Sequence, residues 1–107
     1  MASIADKVSA LIKQHKAIVF SKTYCPYCDN AKRAFAAVSV APHVVELDQG
    51  EYSAHTAEYQ AALGKLTGAT SVPRVFINGK FLGGGDDTVA AQRSGRLAEL
   101  CREAGIL

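Results

Sequence analysis

Apolar side chains recur every three or four residues in several stretches of the chain, which is the spacing of one face of an α-helix. Ser3 and Asp6 form a capping-box pattern at the start of the first of these predicted helices. Gly68 lies where the third predicted helix should end. The apolar positions are Ile4, Val8, Leu11 and Ile12; Ala31, Ala34, Phe35 and Val38; Tyr59, Ala62, Leu63 and Leu66; and, within a last region of two helices from Val89 to Leu107, Leu97, Leu100, Cys101 and Ala104.

Short runs rich in β-branched and aromatic residues predict strands between these helices. The run AIVFS covers residues 17–21, and HVVELD covers residues 43–48. In RVFINGKFLGG, two such runs flank Asn78 and Gly79, the dipeptide that a tight hairpin turn prefers. We therefore expect two antiparallel strands within residues 74–82.

The order of these elements predicts one α/β domain over residues 1–107. A strand, helix, strand unit implies a right-handed crossover between parallel strands, and the hairpin adds two antiparallel strands to the same sheet. We see no internal repeat or linker in the sequence. The expected architecture is a four-stranded mixed sheet flanked on both faces by about five helices.

Composition and charge narrow the classes of function. Apolar residues make up 49% and charged residues 21% of the chain, as in ordinary globular domains. A net charge of +2 is too small for the dense basic patches that bind nucleic acid or membranes. No apolar run reaches the roughly 18 residues of a membrane span, and the start MASIADK lacks a secretion signal. We expect a cytoplasmic protein, with an organellar location after loss of a transit peptide as the alternative.

Cys25 and Cys28 lie three positions apart where a predicted strand meets a predicted helix. Pro26 suits the first helical position, because the N–H there has no partner within the helix. Cys25 then becomes the N-cap residue, and its sulfur lies beside free amides and the positive end of the helix dipole, which stabilise a thiolate. Lys22 adds a positive charge. We expect Cys25 to be the nucleophile and Cys28, one turn deeper, to resolve a mixed disulfide on Cys25.

A structural zinc site and a permanent disulfide are the other interpretations of this pair. Structural zinc takes four ligands, but Cys101 stands alone and His15, His43 and His55 are scattered along the chain. We therefore expect no metal. A disulfide across so short a loop would stabilise the fold little, and permanent disulfides are rare in reducing compartments. A redox-active pair is the favoured interpretation.

Three motifs, in this order and spacing, resemble those of the dithiol glutaredoxins: KTYCPYC at 22–28, SVP at 71–73 and GGGDD at 83–87. The resemblance extends over nearly the whole chain and implies a thioredoxin-like fold. The chain contains no Trp, which distinguishes it from thioredoxin, whose active-site motif usually begins with that residue.

The resemblance implies a glutathione-dependent thiol-disulfide oxidoreductase that acts as a monomer. Cys25 would attack a protein-glutathione disulfide, release the protein thiol and hold glutathione as a mixed disulfide. A second glutathione would regenerate Cys25, with glutathione reductase as the indirect source of electrons. Cys28 would be essential only for disulfides within protein substrates.

The family pattern also implies which residues hold glutathione. Pro73 matches the cis proline of the family, which lets the backbone of Val72 pair with the cysteinyl part of glutathione. Around Gly84, amides at the start of a helix would receive the γ-glutamyl carboxylate. The residues carried over from the family are Lys22 and Gln60 for the glycyl carboxylate, Tyr27 beside the sulfur, Val72, Pro73, Gly84, and Asp86 and Asp87, the latter also for the ammonium.

Thr70 stands where many relatives of this kind have a basic residue, so one support for the glycyl carboxylate is missing, and Arg74 is a candidate to replace it. Cys101 is expected to pack in the core, with a regulatory disulfide or glutathionylation as the alternative.

Two other functions stay open at this stage. Some glutaredoxins carry a [2Fe–2S] cluster between two subunits, usually with Gly or Ser where this chain has Pro26. A dithiol reductase fed by a flavoprotein would not use glutathione.

Overall fold

A computed structural model describes residues 2–107. The chain alternates helices and strands in the order that the sequence predicts, with one additional 3₁₀ helix, Gly50–His55. The strands are β1 (Ala17–Ser21), β2 (His43–Glu46), β3 (Arg74–Ile77) and β4 (Lys80–Gly83). The α-helices are α1 (Ile4–Gln14), α2 (Pro26–Ala37), α3 (Thr56–Thr67), α4 (Gly85–Ser94) and α5 (Arg96–Glu103).

The four strands form one mixed sheet in the order β2, β1, β3, β4. Strands β1 and β2 are parallel, with Ser21 opposite Glu46 at their ends. Strand β3 runs antiparallel to both β1 and β4. The predicted four-stranded mixed sheet with five α-helices is therefore confirmed. Because the carboxyl ends of β1 and β2 lie at the same edge, the segments that follow these two strands are brought together there.

Successive side chains of the central strand β1 project into the two apolar cores on opposite faces of the sheet. Val19 packs in one core layer with apolar residues of α2, α4 and α5. Phe20 packs in the other layer with residues of α1 and α3, and its ring meets that of Phe76 edge-on. The first of these layers holds α2, which Cys25 precedes and which contains Cys28, against the sheet.

Local sequence signals account for where several elements start and stop. The predicted capping box is present, since Ser3 accepts a hydrogen bond from the Asp6 amide and Asp6 accepts one from the Ser3 amide. Gly68 ends α3 in the left-handed conformation, with φ of 87°, as predicted. Asn78 and Gly79 both have positive φ, 52° and 79°, which the hairpin turn requires.

Two boundaries and one additional element differ from the sequence predictions. Strand β2 ends at Glu46 rather than at residue 48, because the chain turns there and the Gln49 amide donates to the Glu46 carbonyl at 3.1 Å. The 3₁₀ helix was not predicted, since residues 50–55 have no apolar period. The last helical region begins at Gly85 rather than Val89, and Gly95, with φ of 85°, divides it into two helices.

Cys101 lies fully buried in α5, as predicted, and burial raises the pKa of its thiol. Within residues 2–107, none of the helices has the length and apolar character that a bilayer crossing needs.

Candidate active site

Cys25 is the N-cap residue of α2, and Pro26 is the first residue of that helix. The Cys25 backbone is extended, with φ of −99° and ψ of 112°. Its Sγ atom accepts a hydrogen bond from the Cys28 amide at 3.2 Å. The sulfur therefore occupies the position of a capping side chain, where helix amides and the helix dipole stabilise negative charge. This is the arrangement that the sequence predicts for a nucleophilic thiolate.

The loop before β3 lies directly against this sulfur. The Val72–Pro73 peptide bond is cis, as the family pattern implies, and the Val72 carbonyl oxygen is 3.7 Å from Cys25 Sγ. Cys25 is half-buried, and on either side of it Tyr24 and Tyr27 are exposed to solvent. A disulfide substrate can therefore approach the sulfur from the side of the two tyrosines.

Cys28 lies one turn inside α2 and is fully buried. Burial raises the pKa of its thiol to about 11, and the hydrogen bond that it shares with the Cys25 sulfur acts in the same direction. The neighbouring Ser21 side chain and Lys22 backbone act in the opposite direction and partly offset this increase. Cys28 is therefore a neutral thiol near pH 7, as a resolving cysteine should be before its partner has reacted.

A second helix start lies beside the first. Helix α4 begins at Gly85, and a Cβ atom on that residue would lie 2.7 Å from the Tyr27 carbonyl oxygen. Glycine therefore allows the first turns of α2 and α4 to touch. The Gly84 amide donates to Asp87 Oδ2 at 3.0 Å, so the Asp87 carboxylate closes the first turn of α4, and the Asp87 side chain is exposed. Asp86 is exposed beside it.

The remaining predicted ligands of glutathione lie on the loops around this centre. The Lys22 carbonyl accepts a hydrogen bond from the Cys25 amide, and its ammonium lies 6.0 Å from the centroid of the Tyr24 ring. Gln60 donates from Nε2 to the Thr70 carbonyl at 3.0 Å, in the segment that leads to Val72. The ligand roles of these side chains stay predictions.

Arg74 follows the cis proline, and its role as a replacement for the basic residue missing at Thr70 stays a prediction. Its Nε atom donates to the Pro73 carbonyl at 3.0 Å, and its guanidinium lies over the Phe81 ring, 5.2 Å from the centroid. Its Nη1 atom also lies 3.5 Å from the Thr67 hydroxyl at the end of α3, so the charge lies between Thr67 and Gly84.

Thr23 and Asp48 form a contact that the sequence interpretation missed. The Asp48 carboxylate accepts hydrogen bonds from the Thr23 amide at 3.0 and 3.2 Å and from the Thr23 hydroxyl. These bonds lower the pKa of Asp48, and the bond from the Thr23 hydroxyl makes the largest contribution. The contact fixes the segment that carries Lys22 and Cys25. The sequence does contain a signal for this contact, because Thr23 and Asp48 follow the carboxyl ends of neighbouring parallel strands.

No group of three or more His, Cys, Asp and Glu side chains converges on a common point within residues 2–107. The site offers the two thiols of α2, backbone amides at two helix starts and the Val72 backbone. Together with the mixed sheet, these features define a thiol-disulfide oxidoreductase of the thioredoxin-like fold.

Comparison with known proteins identifies the family. The glutaredoxin family model matches residues 17–82. Glutaredoxin-C4 of Arabidopsis thaliana is 50% identical over 101 residues, which cover 94% of this chain and 73% of the relative. The chain therefore belongs to the glutaredoxin family, whose members are thiol oxidoreductases.

Solved structures agree with this assignment. Oxidized glutaredoxin 2 from Chlamydomonas reinhardtii superposes with a TM-score of 0.90 at 50% identity, over 97% of this chain and 95% of that one. A buckwheat glutaredoxin-glutathione complex superposes with a TM-score of 0.88 at 36% identity, over 97% and 92% of the two chains. These likenesses confirm the thioredoxin-like fold that the motifs implied.

Proposed function

We propose that this protein reduces protein-glutathione mixed disulfides with glutathione as its reductant, and that it also reduces some protein disulfides. The proposal depends mainly on the position of the Cys25 sulfur. The Cys25 sulfur lies at the start of α2, 3.7 Å from the backbone of Val72. This arrangement places a reactive thiolate next to a backbone segment that can hold a short peptide disulfide.

The Val72 backbone suits the cysteinyl part of glutathione. Val72 is half-buried, and its amide makes no hydrogen bond to any residue in 2–107. An extended peptide can pair with this amide and with the carbonyl, as an added strand pairs with a sheet edge. Such pairing would set the glutathione sulfur beside Cys25 Sγ, and the buckwheat complex supports glutathione as the ligand of this site.

The two ends of glutathione have complementary groups on either side of Val72. Helix α4 begins at Gly85, so the amides of Asp86 and Asp87 have no partners in its first turn, and they suit the γ-glutamyl carboxylate. The exposed carboxylate of Asp87 suits the ammonium. At the other end, Lys22 would bind the glycyl carboxylate, and Gln60 would exchange its bond to the Thr70 carbonyl for one to that carboxylate.

The reaction follows from these positions. The Cys25 thiolate attacks the glutathione sulfur of the substrate, a disulfide forms between Cys25 and glutathione, and the repaired protein leaves as a thiolate that takes up a proton. A second glutathione thiolate then attacks the sulfur of the bound glutathione. This step releases glutathione disulfide, returns Cys25 to its reduced form and leaves reduction of the product to glutathione reductase.

The Cys28→Ser variant tests this route. We expect it to keep at least about half of the turnover on a glutathionylated peptide, measured in an assay coupled to glutathione reductase, because glutathione itself completes the cycle. On a substrate with an internal protein disulfide, the same variant should lose most of its activity. Cys101→Ala is the matched control, since Cys101 is buried away from the site, and it should retain both activities.

Complete loss of activity on the glutathionylated peptide in Cys28→Ser would contradict the one-cysteine route. A wild-type protein that turns over with a flavoprotein reductase but not with glutathione would contradict the proposed reductant.

A further inference from the structure

An open groove lies between the outer sides of α2 and α4, which we call the α2–α4 groove. It has a volume of about 400 Å³. Most of the side chains that line it are polar, and these are Asn30 and Arg33 of α2 and Asp86, Gln92 and Arg93 of α4. Val89, half-buried in α4, adds apolar surface. The lining begins three residues after Tyr27 and one residue after Gly85, the pair through which the two helices touch.

The two guanidinium groups of this groove have no acidic partner. Arg33 and Arg93 are both exposed, and Arg33 donates from Nη1 to the neutral Asn30 Oδ1 at 3.2 Å. The ion pairs within residues 2–107 all involve other side chains. Asp29, one turn before Arg33, is paired with Lys32 instead. Because arginine presents a planar fork of N–H donors that matches a carboxylate, the groove offers two groups that suit acidic side chains.

The α2 side of the groove is continuous with the surface beside the nucleophile. Tyr27, Asn30 and Arg33 follow one another at intervals of three residues, so they lie along one side of α2. Tyr27 is 57% exposed and lies two residues after Cys25. At about 1.5 Å per residue, Arg33 lies about 9 Å along the helix from Tyr27. A polypeptide whose sulfur is held near Cys25 can cross Tyr27 and reach the groove with about four to six extended residues.

We propose that the α2–α4 groove is a docking surface for an acidic segment in the protein half of a glutathionylated substrate. The inference rests on the proposed function, because it takes a glutathionylated protein as the substrate. Carboxylates about four to six residues from the modified cysteine would lie beside Arg33 and Arg93. The amide groups of Asn30 and Gln92 supply further N–H donors for those carboxylates or for the peptide backbone.

One carboxylate in the groove limits where the acidic segment can lie. Asp86 is in the first turn of α4, where the helix dipole favours a negative charge. Arg93 lies seven residues later, about 10 Å along the helix. The acidic residues of the substrate should therefore lie beside the two guanidiniums, away from Asp86 and from the modified cysteine. Two positive charges beside one negative charge fall short of the dense basic patch that binds nucleic acid, which favours a short acidic peptide.

The first test compares two glutathionylated peptides that differ only in charge. One carries Glu at the fourth to sixth positions from the modified cysteine, and the other carries Gln there; each is made with this segment before and after the cysteine. We expect Arg33→Gln and Arg93→Gln each to lower kcat/KM for the Glu peptide about threefold, and the double variant to lower it about tenfold. The change should lie in KM, because docking is the same before and during the chemical step.

The Gln peptide and a third arginine supply the controls. Turnover of the Gln peptide should be the same in all variants, and the preference for the Glu peptide should fall as salt is added. Arg102→Gln, which changes an exposed arginine of α5 outside the groove, should behave as wild type. Equal losses on the Glu and Gln peptides, or no loss on the Glu peptide in either orientation, would overturn the proposal.

The second test needs neither glutathione nor turnover. In a protein with Cys28→Ser and Cys101→Ala, Cys25 is joined by a disulfide to the peptide cysteine, which is first activated with thionitrobenzoate. We expect the Glu peptide to shift the NMR signals of the Nε–H groups of Arg33 and Arg93, and the Gln peptide to leave them in place. Equal shifts from both peptides, or no shift from either, would count against docking in the groove. Absence of glutathione-dependent turnover in the wild type would contradict the proposed function and leave this measurement unaffected.

Discussion

Cys25→Ser is expected to reduce turnover of a glutathionylated peptide by at least about a thousandfold, to the level of the uncatalysed exchange with glutathione. A serine hydroxyl at the start of α2 stays protonated near pH 7, and it has no general base beside it to take the proton. The helix amides that hold the Cys25 sulfur would then have no anion to stabilise. The loss should appear in kcat/KM measured with the assay coupled to glutathione reductase.

The fold should tolerate this substitution, because Cys25 is half-buried and caps α2 with a side chain, a task that serine performs well. A thermal melt of Cys25→Ser close to that of the wild type would separate loss of chemistry from loss of structure. The Cys101→Ala variant should keep its activity in the same assay. Substantial turnover by Cys25→Ser, with Cys28 still present, would show that the nucleophile has been assigned to the wrong sulfur.

Gly85→Ala should destabilise the protein by about 3 kcal/mol and reduce turnover about tenfold. The added methyl group would lie 2.7 Å from the Tyr27 carbonyl oxygen and 3.0 Å from the Tyr27 Cβ atom. Backbone cannot move aside as a flexible side chain can, so α2 and α4 must separate. The spacing between the Cys25 sulfur and the start of α4, on which the proposed glutathione site depends, would then change. Urea unfolding gives the stability, and kcat/KM gives the turnover.

Gly84→Ala is the matched comparison for this prediction. A Cβ atom on Gly84 would meet the tip of the Arg74 side chain at 3.0 Å and the Pro73 carbonyl at 3.7 Å, and its φ of −90° suits any residue. The guanidinium can shift, so we expect a stability change within about 1 kcal/mol. If the two variants were equally stable, contact between α2 and α4 at Gly85 would not be what limits substitution there.

Sequence patterns predicted the parts of the fold that depend on neighbouring residues. The Asn78-Gly79 turn, the left-handed Gly68 and the capping position of Cys25 before Pro26 each follow from the conformational preference of one or two residues. The spacing of apolar positions then predicted the helices, and chain order predicted the mixed sheet. The prediction that Cys25 is the nucleophile depends on this local information alone.

Features that depend on contacts between distant segments were not predicted. The 3₁₀ helix is held by Tyr52, whose ring packs edge-on against that of Tyr59 with centroids 5.2 Å apart. The Asp48 contact joins segments 25 residues apart. The buried position of Ser21 follows from α2 covering the sheet, and a terminal serine in a short strand gives no sign of it. The pattern of residues along the sequence does not indicate which distant segments will be in contact.

The central claim is that the two thiols differ in reactivity because one caps a helix at the protein surface and the other lies buried beneath it. Alkylation of the reduced protein with iodoacetamide, followed at each cysteine by peptide mass across a pH series, tests this claim most directly. We expect Cys25, which is half-buried and caps α2, to be alkylated first, while Cys28, fully buried and with its pKa raised to about 11, stays unmodified near neutral pH. Equal rates of alkylation at the two cysteines across the series would contradict the account.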